Sequence, residues 1–307
     1  MKPSRHSIQC AAQRFITSAN SRSPATAANY QQAVNRFLKS ANNHMDSVGT
    51  TRFLQSLTQT TLKGSSKATY ISGARAFLKH LTDEGLIPTC PLHLLKRPRI
   101  SRSRVNYLSE ADAKAIVAAA QASPSPATQA SVVLMLGLGL RVSEAIASQW
   151  RHLYQESGAY GLLVPSGKGG ASRVAVVPQP ILEQLQGIRR KLGWQDAIDG
   201  QDPHWILEHD GQPYCRQRIH GIIQSLARQA IRKPVGPHTL RHSFATLAAR
   251  AGAQPYDLQE SLGHQKLETT MLYIHLVRGL ANPTSAIVAD RLFGIVRDVG
   301  TISSNSA

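Results

Sequence analysis

Along the first hundred residues the apolar positions recur at helical spacing. In TAANYQQAVNRFLKSA, Tyr30, Val34, Phe37 and Leu38 fall on one face. RFLQSL (Arg52 to Leu57) is a shorter segment of the same kind. SSKATYISGARAFLKHLTDEG repeats the stripe with Tyr70, Ala74, Phe77, Leu78 and Leu81, and Gly85 follows as a stop signal. These stripes predict a small helical bundle over residues 1–95.

The texture changes at LKRPRISRSR. Lys96, Arg97, Arg99, Arg102 and Arg104 crowd around a proline, and both features disfavour compact structure, so residues 96–107 read as a basic linker. A second unit over 108–298 opens at LSEADAKAIVAAAQ, with Ser109 as helix cap and Asp112 in the first turn. An apolar helix around Val132 to Leu138 runs into GLGLRVSEAI, where Ser143 is the expected cap of the next helix. YGLLVP and SRVAVVP read as two strands joined by the glycine-rich SGKGGA turn. PILEQLQGIRRKL, RQRIHGIIQSLARQA, HTLRHSFATLAARAG and DLQESLGH return to helical spacing. A last amphipathic stretch from about Asn282 to Val296 carries Ile287, Val288, Leu292 and Phe293, and residues 299–307 read as a disordered tail. The fold class expected is mainly α with a small antiparallel β-sheet.

Charge narrows the partner. Lysine and arginine number 35 against 18 acidic residues, a net charge of +17, with a pI near 10.3. Such an excess favours a polyanion, and for nucleic acid the drive is counterion release. The linker cations are placed to lie along a phosphate backbone. The longest apolar run, Ala130 to Leu140, is too short to span a bilayer, and no strongly amphipathic basic helix favours a membrane surface. The N-terminus has no apolar core of a signal peptide. Cys10, Cys90 and Cys215 are odd in number and far apart, which argues against a disulfide framework and for a reducing, cytoplasmic setting.

HTLRHSFAT, His238 to Thr246, gathers three cationic or near-cationic side chains within one stretch of helix, a spacing that suits a bound anion better than helix stability. His238 and Arg241 share a face, and His242 is expected to pack or cap nearby. Arg141 in GLRVSEA, Lys168 in the hairpin turn, His264 in LGH and Tyr273 in TTMLYIHL complete a set suited to a phosphodiester. Arginine forks match non-bridging oxygens, histidine moves a proton near neutral pH, and a lysine with lowered pKa donates to a leaving oxygen. Tyrosine is a weak nucleophile at its free pKa, and clustered cations are expected to favour its phenolate. No carboxylate cluster suited to Mg²⁺ accompanies them, so the chemistry expected needs no metal. Singly each residue has a plainer role: Arg141 pairing with Glu144, Lys168 as a loop charge, Tyr273 as a core aromatic. Their order and spacing together make those plainer roles improbable as a set.

Taken together, GLRVSEA, HTLRHSFAT and LGHQKLETTMLYIH make the stretch from Leu108 to Leu276 resemble the tyrosine recombinase, or phage integrase, family. The resemblance implies a mixed α/β catalytic domain, preceded by a helical SAM-like core-binding domain. By the same resemblance, Arg141 and Arg241 clamp the phosphate, His238 transfers a proton and His264 hydrogen-bonds the scissile phosphate. Lys168 protonates the leaving 5′ oxygen, with Arg173 as the alternative hairpin cation, and Tyr273 is the nucleophile. The family needs no metal or nucleotide cofactor, clamps double-stranded DNA between two domains, and assembles as a tetramer in which a C-terminal segment passes between protomers. An accessory or activator protein is a further expected partner. The chain departs from the family at Leu138 and Ser243, where many members have threonine, and its start close to the core-binding helices leads us to expect no extra arm-binding domain and the two-domain, Xer-like type. The competing readings are a zinc-binding regulator on the H-x₃-H spacing of HTLRH, a catalytically idle DNA-binding relative, and a metal-dependent nuclease. The isolated cysteines, the intact residue set and the missing carboxylates weigh against each in turn.

Overall fold

The computed structural model describes residues 3–42, 44–96, 106–165, 172–194 and 200–278. The chain divides into two compact units, Met1–Ser103 and Arg104–Ala307.

In the first unit the first three helices each start on a residue whose side chain accepts from their free amides. Ser4 caps α1 (Arg5–Arg22), accepting the Ser7 amide at 3.1 Å. Ser23 ends α1 and opens α2 (Pro24–Ala41): its amide donates to the Ala19 carbonyl, and its hydroxyl accepts from Thr26. Pro24 stands at the first helical position, where no amide is needed. Asp46 takes the amides of Val48 and Gly49 to begin α3 (Ser47–Thr58), and α4 (Gly64–Asp83) follows. RFLQSL is thus the second half of a longer helix. The predicted stripes meet in one core, where Phe37 lies edge-on to Phe53 at 5.3 Å and to Phe77 at 6.5 Å. Helices α2 and α4 approach so closely that a Cβ on Gly73 would stand 2.4 Å from that of Ala33. Tyr30, half-buried, stacks on Phe15 of α1 at 5.2 Å.

In the second unit Ser109 caps α5 (Glu110–Ala122) as expected, accepting the Asp112 amide at 3.1 Å. Helix α6 (Pro126–Val132) runs into a π-helical turn, Val133–Gly137, in which the Leu138 amide reaches back five residues to the Val133 carbonyl. Gly139 then adopts φ +67°, with the Phe244 ring where a Cβ would be. The next helix, α7 (Val142–Ala147), is not capped by Ser143, which lies inside it. Arg141 is the flanking residue, and its amide donates to the Glu144 carboxylate at 2.7 Å. The acidic residue at the third helical position supplies the acceptor, so the helix starts earlier than the serine predicts.

A single turn of 3₁₀ helix (Trp150–His152) leads to an antiparallel sheet in the order β1 (Leu153–Glu156), β2 (Ala159–Val164), β3 (Arg173–Val177). Register pairs Leu162 with Leu153 on one side and Ala175 on the other, so one face is buried. Then come α8 (Gln179–Lys191), a short hairpin of β4 (Glu208–His209) and β5 (Gln212–Pro213), and α9 (Arg216–Ile231). Helices α10 (Pro237–Arg250), α11 (Pro255–Leu262) and α12 (Leu267–Arg278) follow.

Two cores result. The larger gathers Leu134, Met135, Trp150, Leu162, Leu185, Ile223 and Leu240. The smaller joins α10, α11 and α12 through Ala245, Ala249, Leu258, Leu262, Tyr273 and Ile274. Leu262 is fully buried there, and a buried leucine contributes roughly 2 kcal/mol relative to an exposed one. Ser243 accepts the Leu108 amide at 2.8 Å and donates to the Thr239 carbonyl, so a hydroxyl at this position ties the start of the unit to α10. Among the described residues no helix is long and apolar enough to cross a membrane. Arg97, Arg99, Arg102, Arg104, Lys168, the stretch from Asn282 to Val296 and the tail 299–307 lie outside the described residues, while Lys96 is exposed at the edge of the first unit.

Candidate active site

The end of α11 organises the site. Gly263, at φ +60°, closes the helix and leaves its last carbonyls without helical partners. Three successive carbonyls take three arginines from three distant segments. Ser261 accepts from Arg173 Nε at 3.0 Å, Leu262 from Arg241 Nη2 at 2.6 Å, and Gly263 from Arg141 Nη2 at 3.1 Å. The negative end of the helix dipole favours cations there. A second anchor for Arg241 is the Gly139 carbonyl, 2.6 Å from Nη1, presented where the chain leaves the π-helical turn.

Glu144 is the anion among these cations. One oxygen accepts from Arg141 Nη1 at 2.6 Å, and the other accepts from Arg173 Nη2 at 3.0 Å and lies 3.6 Å from Arg241 Nη1. Burial pushes its pKa up, but bonds from Arg173 and from the Arg141 amide and side chain outweigh that and hold it at about 2. Arg241, 4% exposed, is lowered to about 10, first by burial and then by Arg141, and stays cationic at neutral pH. The plain pairing of Arg141 with Glu144 is therefore present, as one part of a larger network. Each guanidinium has five N–H donors, so Arg241, with two committed to carbonyls, retains donors for an oxyanion.

His264 sits in the turn after Gly263. Its Nδ1 is 2.9 Å from Thr270 Oγ1, and its carbonyl accepts from Gln259 Nε2 at 2.9 Å. Burial, then Arg241, Arg141 and Arg173, lower its pKa to about 4, so the ring is neutral at physiological pH. The His264 and Tyr273 rings lie nearly parallel with centroids 6.2 Å apart.

Tyr273 is 2% exposed. It does pack as a core aromatic in the smaller cluster, while its hydroxyl reaches the site. The expectation that neighbouring cations favour its phenolate is corrected. Burial raises the Tyr273 pKa by more than Arg241 and Arg141 lower it, so the resting side chain is a phenol. The hydroxyl is 2.5 Å from His242 Nδ1. His242, expected only to pack or cap, is thus the site residue that sequence reasoning missed. Its signal is the i, i+4 relation to His238, which puts both rings on one face of α10 with centroids 6.4 Å apart. His238 itself is exposed.

Arg141, Arg241, His264 and Tyr273 are therefore drawn together, and His238 stands on the same helix as Arg241. Lys168 lies outside the described residues, and Arg173 donates Nε to the Ser261 carbonyl and Nη2 to Glu144. Among the described residues no three His, Cys, Asp or Glu side chains gather as a metal site. The three cysteines are unbridged.

Residues 106–278 match the phage integrase family, and residues 13–85 match the phage integrase N-terminal SAM-like domain. The chain is similar to the tyrosine recombinase XerD of Pseudomonas putida, 30% identical over 220 residues that cover 70% of this chain and 72% of that protein. Its fold is similar to that of a XerH site-specific recombinase in a post-cleavage complex with palindromic difH substrate. The TM-score is 0.67 at 18% identity, over 85% of this chain and 79% of that one. It is similar as well to a λ integrase tetramer bound to a Holliday junction, with a TM-score of 0.65 at 17% identity, over 88% and 78% of the two chains.

Proposed function

This chain belongs to the phage integrase family, and from that premise we propose that it is a site-specific DNA recombinase that breaks and rejoins strands through a 3′-phosphotyrosyl intermediate. The observation that carries the reading is the gathering of Arg141 and Arg241 at the end of α11, next to His264, close enough to Tyr273 for both arginines to act on its phenol. Tyr273 attacks the scissile phosphorus. Arg141 and Arg241 hold the non-bridging oxygens, and their donors stabilise the charge that builds in the transition state. His264, neutral and fixed by Thr270, donates to the same phosphate. His238 serves proton transfer from the exposed side, and Lys168 protonates the departing 5′ oxygen. Fixed cations supply the field, so neither metal nor nucleotide cofactor takes part.

Double-stranded DNA is the substrate and the chain acts on it in the cytoplasm. The linker cations Lys96, Arg97, Arg99, Arg102 and Arg104 follow the phosphate backbone. Helix α9 adds an exposed face of Arg216, Gln217, His220, Gln224 and Arg228, suited to phosphates and base edges. The working assembly is a homotetramer on two sites, with an accessory protein selecting which protomers cut. The segment from Asn282 to Val296, apolar on one face, docks on a neighbouring copy. A groove lined by Val117, Leu136, Phe244 and Leu247 on the second unit is an apolar surface fit to receive it.

A nicked duplex of the chain's own site, recovered by sequencing junctions formed in its host, tests the reading. Wild-type protein accumulates a covalent adduct that survives denaturing gels and is insensitive to chelator. Tyr273→Phe binds but forms none. Adduct formation by the Phe variant, or strict dependence on a divalent ion, overturns the assignment.

A further inference from the structure

Attack by Tyr273 requires its proton to leave a phenol that burial protects from solvent, and a hydrogen-bonded partner already waits for it. We propose that His242, rather than His238, is the base that takes the phenolic proton of Tyr273 on cleavage and returns it on religation. The inference rests on Tyr273 being the nucleophile.

The geometry is that of a proton about to move. Nδ1 of His242 lies 2.5 Å from the phenolic oxygen, within the reach a general base needs. The two ring centroids are 5.7 Å apart, and Thr246 fixes the backbone by donating to the His242 carbonyl at 2.8 Å. Tyr273 is almost wholly buried and His242 half-buried, so the pair is shielded from water that would otherwise do the work. His238 is one turn away and exposed, better placed to exchange protons with solvent or DNA than with the phenol.

Protonation states agree with the direction of transfer. Burial, then His238 and Arg241 on its own helix, lower the His242 pKa and keep the ring neutral. His264 acts on it from the turn after α11, also neutral, and Arg141 at the start of α7 acts on the phenol. A neutral ring with the phenol as donor accepts at Nδ1 and carries its proton on Nε2. On attack the Tyr273 O–H bond breaks and the proton passes to Nδ1, giving an imidazolium. The oxygen's electron pair forms the bond to phosphorus. The phosphorus–O5′ bond breaks with its pair, and the 5′ oxygen takes a proton from the leaving-group acid assigned above to Lys168. Religation runs the same steps backwards, with the imidazolium protonating the departing phenolate.

The test compares His242→Ala, His242→Asn and His238→Ala with wild type by single-turnover adduct formation on the nicked duplex as a function of pH. The Asn side chain places an acceptor oxygen where Nδ1 was but cannot take the proton, so it keeps the phenol in position without serving as base. Both His242 variants are expected to bind DNA normally and to cut about 100-fold slower near neutrality. Their rates should rise with pH about tenfold per unit, because hydroxide must now remove the proton. His238→Ala is expected to slow cleavage while keeping the wild-type shape of the profile. Wild-type rate in His242→Asn reduces His242 to a positioning residue and overturns the proposal, as does a profile change confined to His238→Ala. If His242→Ala fails to fold, the NMR titration of the His242 ring in intact Tyr273→Phe decides. A shift from wild type supports the coupled pair, and an unchanged titration overturns it. An adduct formed by Tyr273→Phe is a separate result, which sinks the nucleophile assignment itself.

Discussion

Glu144 and Arg173 meet at 3.0 Å although β3 and α7 are far apart in sequence, and the same carboxylate oxygen stands 3.6 Å from Arg241. One side chain therefore holds β3, the start of α7 and Arg241 of α10 in register. Glu144→Gln keeps the size and some hydrogen bonding but removes the charge from among buried guanidinium groups. The expected cost is about 3 kcal/mol of stability, the scale for breaking a buried ion pair. Adduct formation should fall about 100-fold through misplaced arginines. Chemical denaturation and single-turnover cleavage measure the two, and a variant as stable and as fast as wild type would remove Glu144 from the account.

Acid should weaken the second unit in two overlapping windows. His264 has a folded pKa of about 4, below its ordinary 6.5, so the unfolded chain binds the proton first. Its contribution is full above pH 6.5 and is lost as pH falls towards 4. Glu144, depressed from 4.5 to about 2, holds its contribution above 4.5 and loses it on the way to 2. Thermal midpoints against pH should therefore begin to decline before any carboxylate titrates. In His264→Asn the upper part of that decline should flatten while the lower part persists.

Gly139→Ala should harm both fold and site. The residue has φ +67°, and the new Cβ would come within 2.4 Å of the Phe244 ring. Left-handed backbone and steric conflict together are expected to cost about 2 kcal/mol. The Gly139 carbonyl that anchors Arg241 should shift, slowing cleavage more than binding. Phe244→Leu should restore part of the stability. If the double variant is no better than the single one, the contact with Phe244 is not the cause.

Backbone contacts should be visible in salt. Neutralising Arg99, Arg102 and Arg104 together, or Arg216 and Arg228 together, should flatten the salt dependence of DNA affinity by about one unit per lost phosphate contact. The linker set should weaken all duplexes equally. The α9 set should also narrow the preference for the cognate site. Affinities that keep the wild-type slope would reduce the linker to a tether.

Truncation after Pro283 separates the two fates of the apolar C-terminal stretch. Single-site binding and thermal stability are expected to persist, while pairing of two sites and strand exchange fail. Loss of folding would assign the stretch to its own core, and undiminished recombination would end the docking proposal.

The stripes of Phe37, Phe77 and Leu81, the Ser109 cap and the β2–β3 hairpin were legible because each is written within a few residues. Helix α1 was less so, since alanines such as Ala11, Ala12 and Ala19 supply much of its buried face. Strand β1 is short, and its Tyr154, Gln155 and Glu156 carry little apolar signal. Within the site, the residue types and their order pointed to Arg141, Arg241, His264 and Tyr273. The carbonyls of Ser261, Leu262 and Gly263 could not be read, because backbone acceptors leave no mark in the sequence. Nor could the His242–Tyr273 bond, which depends on how α10 packs on α12. The direction of the Tyr273 shift was misjudged for the same reason: nearby cations are visible in a motif, and burial is not.

The arginines at the end of α11 have an electrostatic consequence for the reaction coordinate. Three guanidinium charges against the one carboxylate of Glu144 leave the empty pocket with a surplus of two. A resting phosphodiester brings a single negative charge and leaves that surplus half unmatched. The five-coordinate phosphorus formed during attack carries a second, and only then are these three arginines and Glu144 balanced, with the proton passed to His242 standing outside that count. The protein is thus matched in charge to a fleeting species and mismatched to the DNA it first meets, so attraction grows as the strand begins to break.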